Sequence, residues 1–100
     1  MVKHIILWNL KDEYSDNEKN EIKLNIKKNL EELFGKIDGL LEIKVEINPL
    51  KTSNVDLMLY SEFKDKEALS FYASHPEHVY VADTFVRPYT KVRNCIDFEV

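Results

Sequence analysis

Tyr72-Ala73-Ser74-His75-Pro76-Glu77-His78 is the stretch that decides how the second half of the chain folds. The ring of a proline disfavours helical dihedrals in the residue before it, so the helix that carries Tyr72 should end just before His75. Pro76 suits the first position of a new short helix, where a backbone amide would have no partner. The chain therefore turns here, and His78, in the first turn of the new helix, is expected to lie close to Tyr72.

The residues on either side of this turn predict a helix and a strand. Asp65 is the expected N-cap of the second helix, in which Ala68, Leu69 and Tyr72 recur at a spacing that places them on one face. After the turn, a short helix leads to a last strand over about residues 92–98.

The chain begins with an apolar segment, residues 2–10, which has no helical period and predicts a buried strand. His4, Ile6 and Trp8 should share one face of this strand, because successive side chains alternate between the two faces.

The first helix is predicted from Ser15 and Glu18, which form a capping box that satisfies two amides at a helix start. Gly35 is its expected C-terminal cap, since glycine enters left-handed dihedrals without a side-chain penalty. The apolar stripe of this helix is expected to comprise Ile22, Ile26, Leu30, Leu33 and Phe34.

Two further strands are predicted between the helices. Leu41, Ile43, Val45 and Ile47 alternate with charged residues, which is typical of a strand with one core face and one polar face. A third strand is expected over residues 55–63, and the two should form a hairpin. The order strand, helix, strand, strand, helix, strand predicts an α+β fold of the ferredoxin-like type.

Length and charge restrict the class of protein. The 100 residues, of which 44% are hydrophobic and 32% charged, predict one domain over residues 1–100 and no membrane span. The net charge of −4 argues against nucleic acid, whose binding depends on Lys and Arg. A domain of this size leaves much of its surface exposed, so a sheet with two apolar faces would need a second subunit to cover one of them.

The chain has a single cysteine, Cys95, which cannot form an internal disulfide and is expected to be a buried thiol. This fits a reducing compartment. The apolar run of residues 5–8 is too short for the core of a signal sequence, so we expect a cytoplasmic protein.

Six segments carry a family resemblance that covers nearly the whole chain. They are Lys3-His4-Ile5-Ile6-Leu7, Val55-Asp56-Leu57, Ser61-Glu62-Phe63, Leu69-Ser70-Phe71-Tyr72, His75-Pro76-Glu77-His78 and Ile96-Asp97-Phe98. Together they resemble the stress-responsive A/B barrel domain family, whose members are dimeric α+β barrels built from two ferredoxin-like subunits. The resemblance therefore implies a homodimer, with helices outside and the two sheets together.

A plant subgroup of that family, which resembles olivetolic acid cyclase, closes a polyketide ring by an aldol-type condensation. The resemblance implies that Tyr72 and His78 occupy the positions of its catalytic Tyr and His. Imidazole titrates near about pH 6.5 and can take a proton from a carbon beside a carbonyl, while a neutral phenol can hydrogen-bond the developing enolate oxygen. This chemistry requires no cofactor.

Each of these residues also has a purely structural interpretation. Tyr72 can bury its ring with its hydroxyl bonded to backbone or water, and His78 can hold the turn. His4 can line a pocket or orient His78, or it can be a core histidine with satisfied nitrogens. The same two interpretations, pocket wall or core filling, apply to Trp8, Leu59 and Tyr89. Ile26 is predicted as a further pocket residue.

His75 and His78 have a spacing that metal ligands can show, but two histidines without a third ligand make a poor zinc site, so no metal is predicted. The sequence predicts a small homodimeric barrel protein of undetermined biochemical role, with a pocket that can bind a small apolar or carbonyl compound. The competing class is a stability or interaction module with no small-molecule chemistry. The alternatives are a cofactor-independent cyclase or lyase, or a monooxygenase or isomerase of the same barrel superfamily. Whether the protein is an enzyme stays open at this point.

Overall fold

The computed structural model describes residues 1–100, which form one four-stranded sheet with helices on one face. The elements are β1 (Val2–Leu10), α1 (Asp16–Glu31), β2 (Leu40–Glu46), β3 (Leu57–Phe63), α2 (Lys66–Ser74), α3 (Pro76–Val81), a π-helical turn (Ala82–Val86) and β4 (Thr90–Glu99). The strand order is β2-β3-β1-β4, and every neighbouring pair is antiparallel. This is the predicted ferredoxin-like α+β fold.

The core lies between the helices and one face of the sheet. Along β1, the residues that face the helices are buried and those between them are half-buried; the buried ones are Val2, His4, Ile6, Trp8 and Leu10. The central strand β3 shows the same alternation. Ile22, Ile26 and Leu30 of α1 pack onto this face, as their helical spacing predicts.

The start of α1 is confirmed and its end differs from the prediction. The amide of Glu18 donates to the Ser15 hydroxyl at 3.2 Å, and the amide of Ser15 donates to the Glu18 carboxylate at 2.9 Å. The helix ends at Glu31, before Gly35, which has φ of +83° in the following turn. The placement of Phe34 on the apolar stripe is wrong: its side chain is 58% exposed, because the helical period no longer applies there. No helix of the chain is long and apolar enough to cross a membrane.

The second strand contains an irregularity that the alternation does not predict. The register shifts between Leu40 and Glu42, where one extra residue is inserted. Leu40 therefore faces the core opposite Phe63, whereas Leu41, which was predicted to be in the core, is 49% exposed. From Ile43 onward the prediction is confirmed.

The turn between α2 and α3 is confirmed in detail. The amide of Ala68 donates to the Asp65 carboxylate at 2.8 Å, so Asp65 caps α2. His75 ends that helix in an extended conformation, and its Nδ1 accepts from the amide of Glu77 at 3.1 Å. Pro76 then begins α3, which places His78 in the first turn.

The last strand lies at one edge of the sheet, and all its residues after Thr90 are exposed in the single subunit. Cys95 belongs to this strand and is exposed, so the expectation of a buried thiol is wrong. The helices cover the centre of the sheet and stop short of this edge.

Candidate functional site

A cavity of about 190 Å³ opens between the sheet and the α2–α3 turn. Five of the predicted site residues line it, and they come from four elements: His4 and Trp8 of β1, Leu59 of β3, Tyr72 of α2 and His78 of α3. The fold thus brings together side chains that are far apart in the sequence.

Two of the residues predicted for the pocket, Ile26 and Tyr89, do not line this cavity. Ile26 is 0% exposed and fills the core beneath α1. Tyr89 packs against Tyr14, with ring centroids 5.9 Å apart, in a separate surface hollow. For these two residues, core filling and surface packing replace the predicted role.

Tyr72 is held on the inward face of α2 and is 1% exposed. Its ring centroid lies 4.9 Å from that of Phe63 and 4.2 Å from that of His78. Its hydroxyl is buried and has no hydrogen-bond partner within the protein. Burial raises the pKa of Tyr72 well above its usual value, so the phenol is neutral at pH 7 and can donate a hydrogen bond.

His78 is half-buried beside Tyr72, and its Nδ1 lies 3.1 Å from the carbonyl oxygen of Ala73. A carbonyl can only accept, so Nδ1 carries the hydrogen and Nε2 keeps its lone pair. Burial lowers the pKa of His78; the bond to Ala73 opposes this, and the positive charges of Arg87 and Arg93 add to it. At neutral pH the ring is therefore an uncharged base next to a neutral phenol.

His4 is hydrogen-bonded through Nδ1 to the carboxylate of Asp97 across the β1–β4 pair, and no hydrogen bond joins it to His78. Cys95 Sγ lies 3.8 Å from His4 Nδ1 and 3.6 Å from Asp97 Oδ1. The three donor atoms lie within 4.8 Å of one another, and nitrogen, sulfur and oxygen donors of this kind are zinc ligands. Only strand pairing brings these residues together, so their spacing in the sequence gave no signal.

The two histidines that have metal-like spacing have different local roles. His75 caps α3 through Nδ1 and packs against Phe71, with ring centroids 5.4 Å apart. His78 faces the cavity. They do not belong to the cluster of metal-ligating side chains at His4.

Sequence reasoning missed nine of the fourteen residues that line the cavity, and among these nine are its two arginines, Arg87 and Arg93. The composition sets these two residues apart from the other basic side chains. They are the only arginines of the chain, whose other basic side chains are lysines.

Comparison with known proteins identifies the relatives of the chain. The family model of the stress responsive A/B barrel domain matches residues 2–100. No curated protein matches the chain. A dimeric protein of unknown function with a ferredoxin-like fold from Bacteroides fragilis is 34% identical, with a TM-score of 0.91 over 99% of this chain and 95% of that one.

Two more distant structures share the fold. An A/B barrel family protein from Mesorhizobium loti is 21% identical, with a TM-score of 0.75 over 99% of this chain and 95% of that one. The hydroxynitrile lyase of Passiflora edulis is 15% identical, with a TM-score of 0.72 over 97% of this chain and 90% of that one. At these identities the likeness concerns the fold alone.

Proposed function

Since the chain belongs to the stress-responsive A/B barrel domain family, we propose that it is a cytoplasmic homodimer in which each subunit binds a small apolar or carbonyl compound in the cavity at Tyr72 and His78. The observation that carries this proposal is the Tyr72 hydroxyl, which is buried without a partner beside a neutral imidazole.

An unpaired buried hydroxyl is unfavourable for a protein that only has to be stable. Leaving such a group unsatisfied costs about 1–3 kcal/mol, whereas a phenylalanine of the same shape would avoid this cost. A buried polar group without a partner therefore calls for an explanation, and a ligand oxygen is one. The carbonyl oxygen of a bound compound would accept the hydrogen bond that the protein leaves unmade.

The homodimer is supported by the face of the sheet that the helices do not cover. This face, here called the open face, carries Ile5, Leu7 and Met58 in the centre and Ile96 and Phe98 on β4. Contiguous exposed apolar side chains of this kind mark interaction sites. The Bacteroides fragilis protein is described as dimeric, which supports a second copy of this chain as the occupant.

Native mass spectrometry of the purified protein tests both parts of this proposal. We expect the mass of two chains plus a small molecule, and a bare dimer for His78→Gln, which keeps an amide able to bond Ala73 but has no basic nitrogen. His75→Gln, outside the cavity, is the matched control and should keep the extra mass. A wild-type dimer that stays bare after incubation with a small-molecule extract of host cells would contradict the binding part, and a monomer would contradict the dimer.

A second candidate function, a cofactor-independent enzyme of the cyclase or lyase type, is favoured by the protonation states of the pair. Nε2 of His78 would take a proton from the carbon beside a carbonyl, and the Tyr72 hydroxyl would donate to the enolate oxygen that forms. Exchange of the α-hydrogens of 2-heptanone in deuterated buffer, followed by proton NMR, tests this step. We expect exchange above the buffer rate that is lost in His78→Gln; equal rates for both proteins would exclude this step for simple ketones.

A further inference from the structure

We infer that the cavity recognises a carboxylate on its ligand, with Arg93 as the residue that binds it, so the ligand class is a small apolar carboxylic acid. This inference rests on the proposed binding function and adds the charge of the ligand to it. Arg93 lines the same cavity as Tyr72 and His78.

The charges of this protein are segregated around the cavity. Of the 14 lysines and arginines, only Arg87 and Arg93 are arginines, and both line the cavity, while none of the 12 lysines does. None of the 18 aspartates and glutamates lines it either. In a chain with a net charge of −4, the cavity wall thus carries two arginines and no carboxylate.

Arginine differs from lysine in the way it binds anions. Its planar guanidinium presents paired N–H donors that match the two oxygens of a carboxylate, whereas lysine offers a point charge. All other basic side chains of the chain are lysines, and both arginines line the cavity. The cavity therefore has the side chain that is suited to binding a planar anion.

The two arginines are not equally available. Arg87 is ion-paired with Asp83, four residues earlier on the exposed π-helical turn. Arg93 forms no ion pair with any carboxylate, and its side chain neighbours the Cys95 thiol as a hydrogen-bond donor. Arg93 is also the register partner of Trp8, so its side chain leaves the sheet on the cavity side. The guanidinium without a carboxylate partner is therefore that of Arg93.

The rest of the wall determines the remainder of the ligand. Apart from the two histidines, the two arginines and Thr90, the cavity is lined by aliphatic and aromatic side chains, including Ile6, Leu59 and Leu69. Its volume of about 190 Å³ is below the range of roughly 300–1,000 Å³ that is usual for drug-sized ligands. A short hydrocarbon chain or a single ring with one carboxylate fits both the size and the polarity.

A fluorescence titration with two probes of equal size tests this inference. Trp8 is the only tryptophan of the chain and lines the cavity, so its emission reports occupancy. We expect hexanoate to bind at least about tenfold more tightly than hexanamide, since a charge-assisted hydrogen bond is worth about 1.5–3 kcal/mol.

Three variants assign the preference to Arg93. Arg93→Gln should bind both probes equally, and Arg93→Lys should keep part of the preference, because it retains the charge without the planar donors. The matched control is Lys91→Gln, which removes the same charge from the same strand at a residue that ion-pairs with Asp12 outside the cavity. This control should behave as wild type.

The outcomes separate this inference from the function on which it rests. Equal affinities of wild-type protein for hexanoate and hexanamide would overturn the carboxylate inference and leave binding in the cavity intact. A loss of preference in Lys91→Gln as large as in Arg93→Gln would overturn the assignment to Arg93, because the effect would then follow net charge. No response to either probe would overturn binding of small apolar compounds, and the carboxylate inference with it.

Discussion

Tyr72 and His78 acquire their chemistry from the same local feature, the proline turn that directs both rings towards one space. Their ring centroids lie 4.2 Å apart, and burial pushes the pKa of Tyr72 up and that of His78 down. Both groups are therefore uncharged at pH 7, which pairs a hydrogen-bond donor with a base. Burial thus widens the pH range over which both groups stay uncharged.

Replacing Tyr72 by phenylalanine separates the binding role from the structural role. We expect Tyr72→Phe to unfold at the same or a higher denaturant concentration, with a gain of about 1 kcal/mol, because it removes a buried hydroxyl without a partner. The same variant should lose affinity for the ligand. A clear loss of stability would mean that the hydroxyl has a structural partner, and it would favour the structural interpretation of this residue.

His78 should make the stability of the protein depend on pH in a defined range. The unfolded chain binds a proton at this residue near its ordinary pKa of 6.5, and the folded chain does so only at lower pH. Between these two values the unfolded state carries more protons, so the free energy of unfolding falls as the pH falls below about 6.5. Urea titrations from pH 8 to pH 5 should show this slope in wild type and a flatter one in His78→Gln.

The assignment to His78 can be checked directly. The chain has three histidines, and NMR titration of their ring protons, with His78→Gln to identify the resonance, should place the His78 midpoint below 6.5. A midpoint above 6.5 would contradict the burial of the imidazole.

At the level of elements, the turn before β2 packs closely against α2. Gly39 has φ of +86°, and a Cβ built there would lie 2.5 Å from Cβ of Ala68. Gly35 has a similar φ of +83° but open space around it. Both glycines therefore need left-handed backbone dihedrals, but only Gly39 lies against another side chain, that of Ala68.

This difference gives a matched pair of substitutions. Gly35→Ala should cost about 1–2 kcal/mol from the left-handed dihedrals alone. Gly39→Ala should cost more by about 1–3 kcal/mol, since it also overpacks the helix. Adding Ala68→Gly should restore part of the loss in Gly39→Ala and none in Gly35→Ala. Denaturant unfolding of wild type, the three single variants and the two double variants measures the coupling. Equal costs for the two single glycine variants would show that the helix moves away freely.

The same elements show what a sequence can and cannot reveal. The element order, the capping box at Ser15 and the proline turn depend on spacings within a few residues, and these were predicted correctly. The exposure of Leu41 depends on a bulge against another strand, and that of Cys95 on which strand lies at the edge. The meeting of Arg93 with Trp8 depends on pairing across the sheet. Such long-range relations leave no local pattern.

The two edges of the sheet are treated differently by the fold. At the β2 edge, Lys27 donates to the carbonyl of Val45 at 2.9 Å, and the amide of Val45 donates to Glu31 at 3.0 Å. Side chains of α1 thus satisfy the strand where another chain would pair. The β4 edge has no such cover and is exposed after Thr90. The open face of the sheet and the exposed edge of the sheet therefore meet at β4.

At the scale of the whole molecule, the open face of the sheet predicts which substitutions break the dimer. Ile96 lies on this face opposite Ile5, and Phe34 lies beyond the end of α1; both side chains are 58% exposed. Burying Ile96 between two subunits gains about 1.5–3 kcal/mol for each side chain. A charge at that position would instead be desolvated in the dimer, which is unfavourable for a charge without a partner.

We therefore expect Ile96→Asp to shift the protein towards monomer, and Phe34→Asp to leave the dimer unchanged, in size-exclusion chromatography with light scattering over a range of concentrations. The two variants introduce the same charge at residues of equal exposure, so net charge and exposure are matched between them. Because the symmetry of a homodimer places each substitution in the interface twice, even a modest cost per subunit changes the dissociation constant strongly. If Phe34→Asp dissociates the dimer and Ile96→Asp does not, the subunits associate through the helical side, and the open face needs another occupant.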